Sequence, residues 1–230
     1  MAVNDSSPGR ALPPLRPLPY HDAVVDYLRS EEPHVWRWAA SAQAKEEHAQ
    51  EVRTALLKET YRLDPVAHEQ AYQCARVAAR RLGIDVPVTL YQLGDGPMNA
   101  ALYYLPNEVH VVLSGSVLER LNGLELQALL GHELAHYHLW QLDDGAYHCA
   151  DRILTSTAND PRASPSHVQT ARLYRLFTEV FADRGACLAC GSSVSIRGRR
   201  TRAIATSRTR ASSTTTTRSP RAGSRPTRRP

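Results

Sequence analysis

The sequence predicts an α+β protein, mostly helical, with a small three-stranded, mainly antiparallel sheet. Three observations carry that prediction. Residues 20–82 and 124–190 are rich in helix formers, with apolar side chains recurring three and four apart, the period of an amphipathic helix. Between residues 86 and 113 the texture changes to short β-branched or aromatic runs bounded by Gly, Pro and Asn, which read as strands and their turns. No run of 18 apolar residues occurs, so no transmembrane helix is expected.

Residues 1–19 are polar and then Pro-rich (Pro8, Pro13, Pro14, Pro17, Pro19), lack an apolar signal-peptide core, and read as a disordered or extended lead. A cytoplasmic protein follows as the expectation. Residues 20–63 read as N-terminal helices broken at Pro33. Trp36 and Trp38 there either pack on the rest of the chain or form an exposed face for a partner. Asp64-Pro65 is expected to open a third helix, with Asp64 as its cap and Pro65 in first position, running to Leu82 and ended by Gly83. The strand-like runs are Val86 to Leu93, Ala101 to Leu105 and Val109 to Leu113; the short link through Pro106-Asn107 suits an antiparallel hairpin. A largely buried helix follows from Leu124 to Leu142, where Leu126, Leu129, Leu130, Leu134, Tyr137 and Trp140 keep helical spacing. A polar stretch broken at Asp160-Pro161 and Pro165 then leads to a last helix that starts near His167.

The central helix carries the chemistry. Gly131-His132-Glu133-Leu134-Ala135-His136 contains H-E-x-x-H, which on a helix sets His132 and His136 on one face, four residues apart. Both imidazoles can then reach one ion, while Glu133 can reach a water at that ion without ligating it. Zinc lowers the pKa of its water toward roughly 7, and a nearby carboxylate can take the proton and return it to a leaving amine. Chance places this pattern in roughly one such chain in fifty, so its context decides. On these residues alone, two satisfied core histidines would explain the pattern as well. Downstream, Glu179 and Asp183 again lie four apart on a helical face. Two His and one Glu form an established catalytic zinc set, and Asp183 would suit the outer shell, accepting a ring N–H from a ligand histidine. The plain alternative is a solvated helix edge beside Arg175 and Arg184.

Ser116 to Leu121, Glu125 to His136 and Glu179 to Asp183 together resemble the HtpX and CAAX-prenyl-protease family, the gluzincin metallopeptidases of family 48. The resemblance runs from about Pro65 to Ala189. It implies a zincin-like metallopeptidase domain over residues 64–191 that binds one Zn2+ per chain through His132, His136 and Glu179. Glu133 would be the general base and Asp183 a supporting residue. Asn99-Ala100 resembles the family's N-A element at the edge of the cleft, where Asn99 would position the substrate or the oxyanion; a turn residue after Gly94-Asp95-Gly96-Pro97 is the equal alternative. The implied function is a metalloendopeptidase: a zinc-activated water, deprotonated by Glu133, hydrolyses a bond of a peptide or protein substrate. A catalytically impaired zinc-binding pseudopeptidase acting as an interaction module is the second reading. A di-iron bundle, suggested by Glu133-x-x-His136 and Glu31-x-x-His34, is opposed by Pro33 and the strand-like runs.

Four cysteines are present, and Cys187-x-x-Cys190 finds no second C-x-x-C, so small apolar residues in a reducing compartment are expected. Residues 192–230 differ from the rest of the chain. They hold eleven Arg but no Lys, Asp or Glu, so the net charge of +5 becomes −6 without them. The segment reads as a disordered Arg/Ser/Thr-rich tail, native or translated out of frame. Without aromatic residues for stacking, it suits only non-specific polyanion or nucleic-acid binding.

Overall fold

A computed structural model describes residues 14–94 and 96–191. The sequence reading of 192–230, and of the lead as far as residue 13, lies outside the described residues. Eight α-helices and four strands follow in the order α1 (Pro19–Glu31), α2 (Pro33–Ala39), α3 (Ala42–Glu59), β1 (Thr60–Arg62), α4 (Glu69–Leu82), β2 (Val88–Leu93), β3 (Asn99–Leu105), β4 (Glu108–Ser114), α5 (Val117–Arg120), α6 (Gly123–Gln141), α7 (Ala146–Asn159) and α8 (Pro165–Cys190). The α+β class holds. Among the described residues, no helix is long and apolar enough to cross a membrane.

The sheet has four strands, not three, in the order β1-β2-β4-β3. The additional strand, Thr60-Tyr61-Arg62, pairs antiparallel with β2 (Thr60↔Leu93). Three residues at the end of a helical run give too short a pattern to register as period two, yet β-branched and aromatic side chains favour the extended form. Thr60 Oγ1 donates to the Leu56 carbonyl at 2.6 Å and closes the preceding helix. The sheet is also mixed. β3 and β4 form the expected hairpin, closed at Leu105↔Glu108 through Pro106-Asn107, with Asn107 in the left-handed region at φ 64°. Because β4 returns between β3 and β2, it runs parallel to β2 (Leu90↔Val111). β3 is left as an edge strand.

The helix expected from Asp64 begins only at Glu69. Asp64 spends its carboxylate on a local turn, accepting the N–H groups of Val66 and Ala67 at 2.8 and 2.9 Å. The end was placed correctly: Gly83 caps it with φ 69°. The stretch between the motif helix and the last helix is itself helical over Ala146–Asn159. Its buried stripe, Ala146, Cys149, Ala150, Ile153 and Leu154, keeps helical spacing, so the apolar period was present in the sequence and was overlooked among the polar residues around it.

The core forms where α4, α6 and α8 meet the sheet, around Leu90, Val109, Val111, Leu113, Leu130, Leu134, Tyr137 and Phe181. Leu15, within the Pro-rich lead, is buried in the same core. A second cluster joins Val24, Val25, Leu28 and Ala39 to α7 and Tyr174. Trp36 packs on that cluster beneath the Arg29 guanidinium, 4.9 Å from its ring, while Trp38 is 66% exposed.

Candidate metal centre

α6 begins with a reciprocal cap: Asn122 Oδ1 accepts the Leu124 and Glu125 N–H groups, and Glu125 accepts the Asn122 N–H, each at 3.0 Å. This start fixes the register that turns His132, Glu133 and His136 toward one region. α8 crosses α6 antiparallel, with Gly131 against Ala189 and Gly185 against Ala135. These small side chains let the helix axes approach closely, so groups from both can converge.

The convergence is tight. His132 Nε2 lies 3.3 Å from His136 Nε2 and 3.3 Å from Glu179 Oε2, and His136 Nε2 lies 3.9 Å from Glu179 Oε1. Two ligand atoms each about 2.1 Å from a tetrahedral ion stand about 3.4 Å apart, so the observed spacings fit such an ion with little movement. Among the described residues His132, His136 and Glu179 are the one His/Cys/Asp/Glu group that could hold a metal. Asp183 Oδ1 accepts from His132 Nδ1 at 3.0 Å, which directs the Nε2 lone pair toward His136 and Glu179. A cation at their centre would satisfy all three; without one, a proton on His132 Nε2 donated to Glu179 does the same. Burial opposes charge on His132, but Asp183 and Glu179, then Glu133, outweigh it and push the imidazole up to about 10. Burial, with the charge of His132, pushes His136 down to about 3 and keeps it neutral, the state a ligand needs.

Glu133 is 3% exposed and takes no part in the ligand cluster. Its Oε2 accepts the Leu102 N–H from β3 at 3.0 Å. Burial pushes its carboxyl up to about 7, against the pull of His132 and the Leu102 N–H and with the push of Glu179. A carboxyl that titrates near neutrality can both accept and return a proton.

Glu133, His136 and Glu179 line a cavity of about 420 Å³ including its open mouth. Ala100, Ala101 and Leu102 of edge strand β3 also line it; Asn99, the residue singled out from the sequence, does not. Asn99 instead pairs with Ser114 at the start of β3, and its carbonyl accepts the Ser114 hydroxyl at 3.3 Å.

One lining residue, Asp151, escaped the sequence reading, and another, Arg175, entered it only as a neighbour of a solvated helix edge. Asp151 comes from α7, the helix the sequence left as a polar stretch. Burial pushes its carboxyl up to about 6 against the pull of Arg175. Arg175 sits one helical turn before Glu179 on α8, and that spacing was its only signal. Cys187 and Cys190 lie near the end of α8 in no disulfide and outside this centre. No family model, no curated protein and no solved structure matches the chain.

Proposed function

We propose that the protein is a zinc-dependent metalloendopeptidase with a zincin-like domain, related to the HtpX and CAAX-prenyl-protease family. One observation carries this reading: the His132, His136 and Glu179 ligand atoms converge beside a buried Glu133 that is held out of their cluster and titrates near neutrality. Two His and one Glu leave the fourth position of a catalytic zinc open. When bound there, zinc polarises a carbonyl and lowers the pKa of water toward neutrality.

The chain's own residues supply the rest. Glu133 takes a proton from the attacking water and returns it to the leaving amine, while its bond to the Leu102 N–H holds the carboxylate in place. Asp183 keeps the His132 ring turned to the ion. Edge strand β3 flanks the cavity through Ala100 to Leu102 and offers an extended peptide a backbone to lie along.

The test compares zinc content and cleavage of an unfolded protein by wild type and Glu133→Gln. Zinc should stay stoichiometric in both, and cleavage should fall about 10²–10⁴-fold in the variant. Loss of zinc from Glu133→Gln would place Glu133 among the ligands. Bound zinc without any cleavage by wild type would leave a zinc-binding interaction module.

A further inference from the structure

We infer that Arg175 receives a carboxylate of the substrate, carried one or two residues from the bond that is cut. The inference rests on the peptidase reading above and adds the substrate's chemistry to it.

Arg175 lines the same cavity as Glu133, His136 and Glu179. It is exposed at that position and makes no hydrogen bond or ion pair among the described residues. An unpaired surface arginine is ordinary, but this one belongs to a concave wall whose other charged side chains are Glu133, Asp151 and Glu179. Those carboxyl groups offer an anionic substrate group no cationic side chain to pair with. Arg175 is the one Lys or Arg among the described lining residues, and its guanidinium presents a planar fork of donors that matches a carboxylate. Asp151 feels its charge without capturing it: the two form no ion pair, so the fork remains open to a ligand.

The spacing sets where that carboxylate lies. Arg175 precedes Glu179 by four residues, about 6 Å along the helix. An extended peptide advances roughly 3.3 Å per residue. A carboxylate that reaches Arg175 therefore belongs to a residue within about two of a bond held at Glu179. That carboxylate has two sources, an Asp or Glu side chain or the C-terminus of the substrate itself.

Paired peptides separate them: Glu against Gln at each of the two positions flanking the scissile bond on either side, and free acid against amide at the C-terminus. Each pair is assayed on zinc-loaded full-length wild type, Arg175→Gln and Arg175→Lys. Wild type should favour the carboxylate member of at least one pair by about tenfold in kcat/KM, the low end for a charge-assisted hydrogen bond at an exposed site, and mostly through KM. The ratio should fall to about one in Arg175→Gln and recover in part in Arg175→Lys; because it is internal to each variant, altered folding does not produce it. A preference in the Glu/Gln arm assigns a side chain, and one in the acid/amide arm assigns the chain end. No preference in wild type, or one that survives Arg175→Gln, overturns the inference. If no peptide is cleaved, the peptidase reading fails by itself. Binding of the same pairs to Glu133→Gln and to Glu133→Gln/Arg175→Gln, followed by Trp fluorescence, then decides the role of Arg175 on the same two criteria.

Discussion

Gly131→Ala should loosen the protein although alanine is the better helix former. Gly131 lies in the body of α6, where Ala would gain about 1 kcal/mol in helix propensity. Against this, a Cβ built on Gly131 falls less than 3.0 Å from the Ala189 Cβ, and the Ala186 Cα lies at 3.3 Å. Neither neighbour is the far end of a flexible side chain. Relief requires α6 and α8 to part by about 1 Å, since carbon atoms rest 3.5–4.0 Å apart. Overpacking of this kind costs about 1–3 kcal/mol, and a clash between two helix backbones belongs at the upper end. The net expectation is destabilisation by about 2 kcal/mol, a fall of roughly 4–8 °C in Tm for a chain of this size. The shift also exceeds the roughly 0.2 Å tolerance of metal–ligand distances, so zinc affinity should drop on the order of tenfold. Thermal unfolding and competition with a chromogenic chelator measure the two effects. Gly123→Ala is the control, because its Cβ would meet nothing closer than the flexible Gln70 side chain at 3.5 Å. A Gly131→Ala protein as stable as wild type would refute the close crossing, and unchanged zinc affinity would show that the crossing does not set the ligand geometry.

His136→Ala and Glu179→Ala should each lose most bound zinc by metal analysis, whereas wild-type zinc content in both would remove them as ligands. The pH dependence of folding should carry the signature of His21. This residue is fully buried, accepts the Leu18 N–H at Nδ1 and meets Thr178 Oγ1 at 3.2 Å through Nε2; burial, opposed by Asp22, pushes it down to about 4. The folded state binds the neutral ring, so this stability is complete above pH 6.5 and is lost as pH falls from 6.5 toward 4, about 3 kcal/mol in all. Urea midpoints at pH 7 and 4.5 should converge between wild type and His21→Gln, and a constant gap between them would exclude this role.

How much of this was legible in the sequence depended on whether a residue's role was local. The H-E-x-x-H helix, the hairpin turn at Pro106-Asn107 and the Gly83 cap follow from short-range rules, and the structure shows these elements. Glu179 and Asp183 could be named because their helical spacing matched that of the histidines, and the structure brings both to His132. β1, set by tertiary contact, was missed; it exists because β2 offers it an edge. α7 was overlooked although its apolar residues keep helical spacing, and with α7 went Asp151. Asn99, singled out by its likeness to the family's N-A element, starts β3 directly before Ala100, Ala101 and Leu102, which line the cavity.

Gly131, in the body of the motif helix, was visible in the sequence, and its meaning was not. An isolated Gly in a buried helix marks close backbone approach, but only the fold names Ala189 and Gly185 as what approaches. Larger side chains at the crossing would hold the axes at the usual 8–10 Å, and the carboxylate of Glu179 would then fall short of His132 Nε2. The same crossing carries the Asp183 bond to His132, while one turn away Thr178 ties α8 to His21 at the start of α1. Stability and chemistry therefore depend on one helix pair. A substitution that separates α6 from α8 should lower thermal stability and metal affinity together, whereas one at Glu133 or Arg175, on the cavity wall, should alter turnover or selectivity and leave the crossing intact.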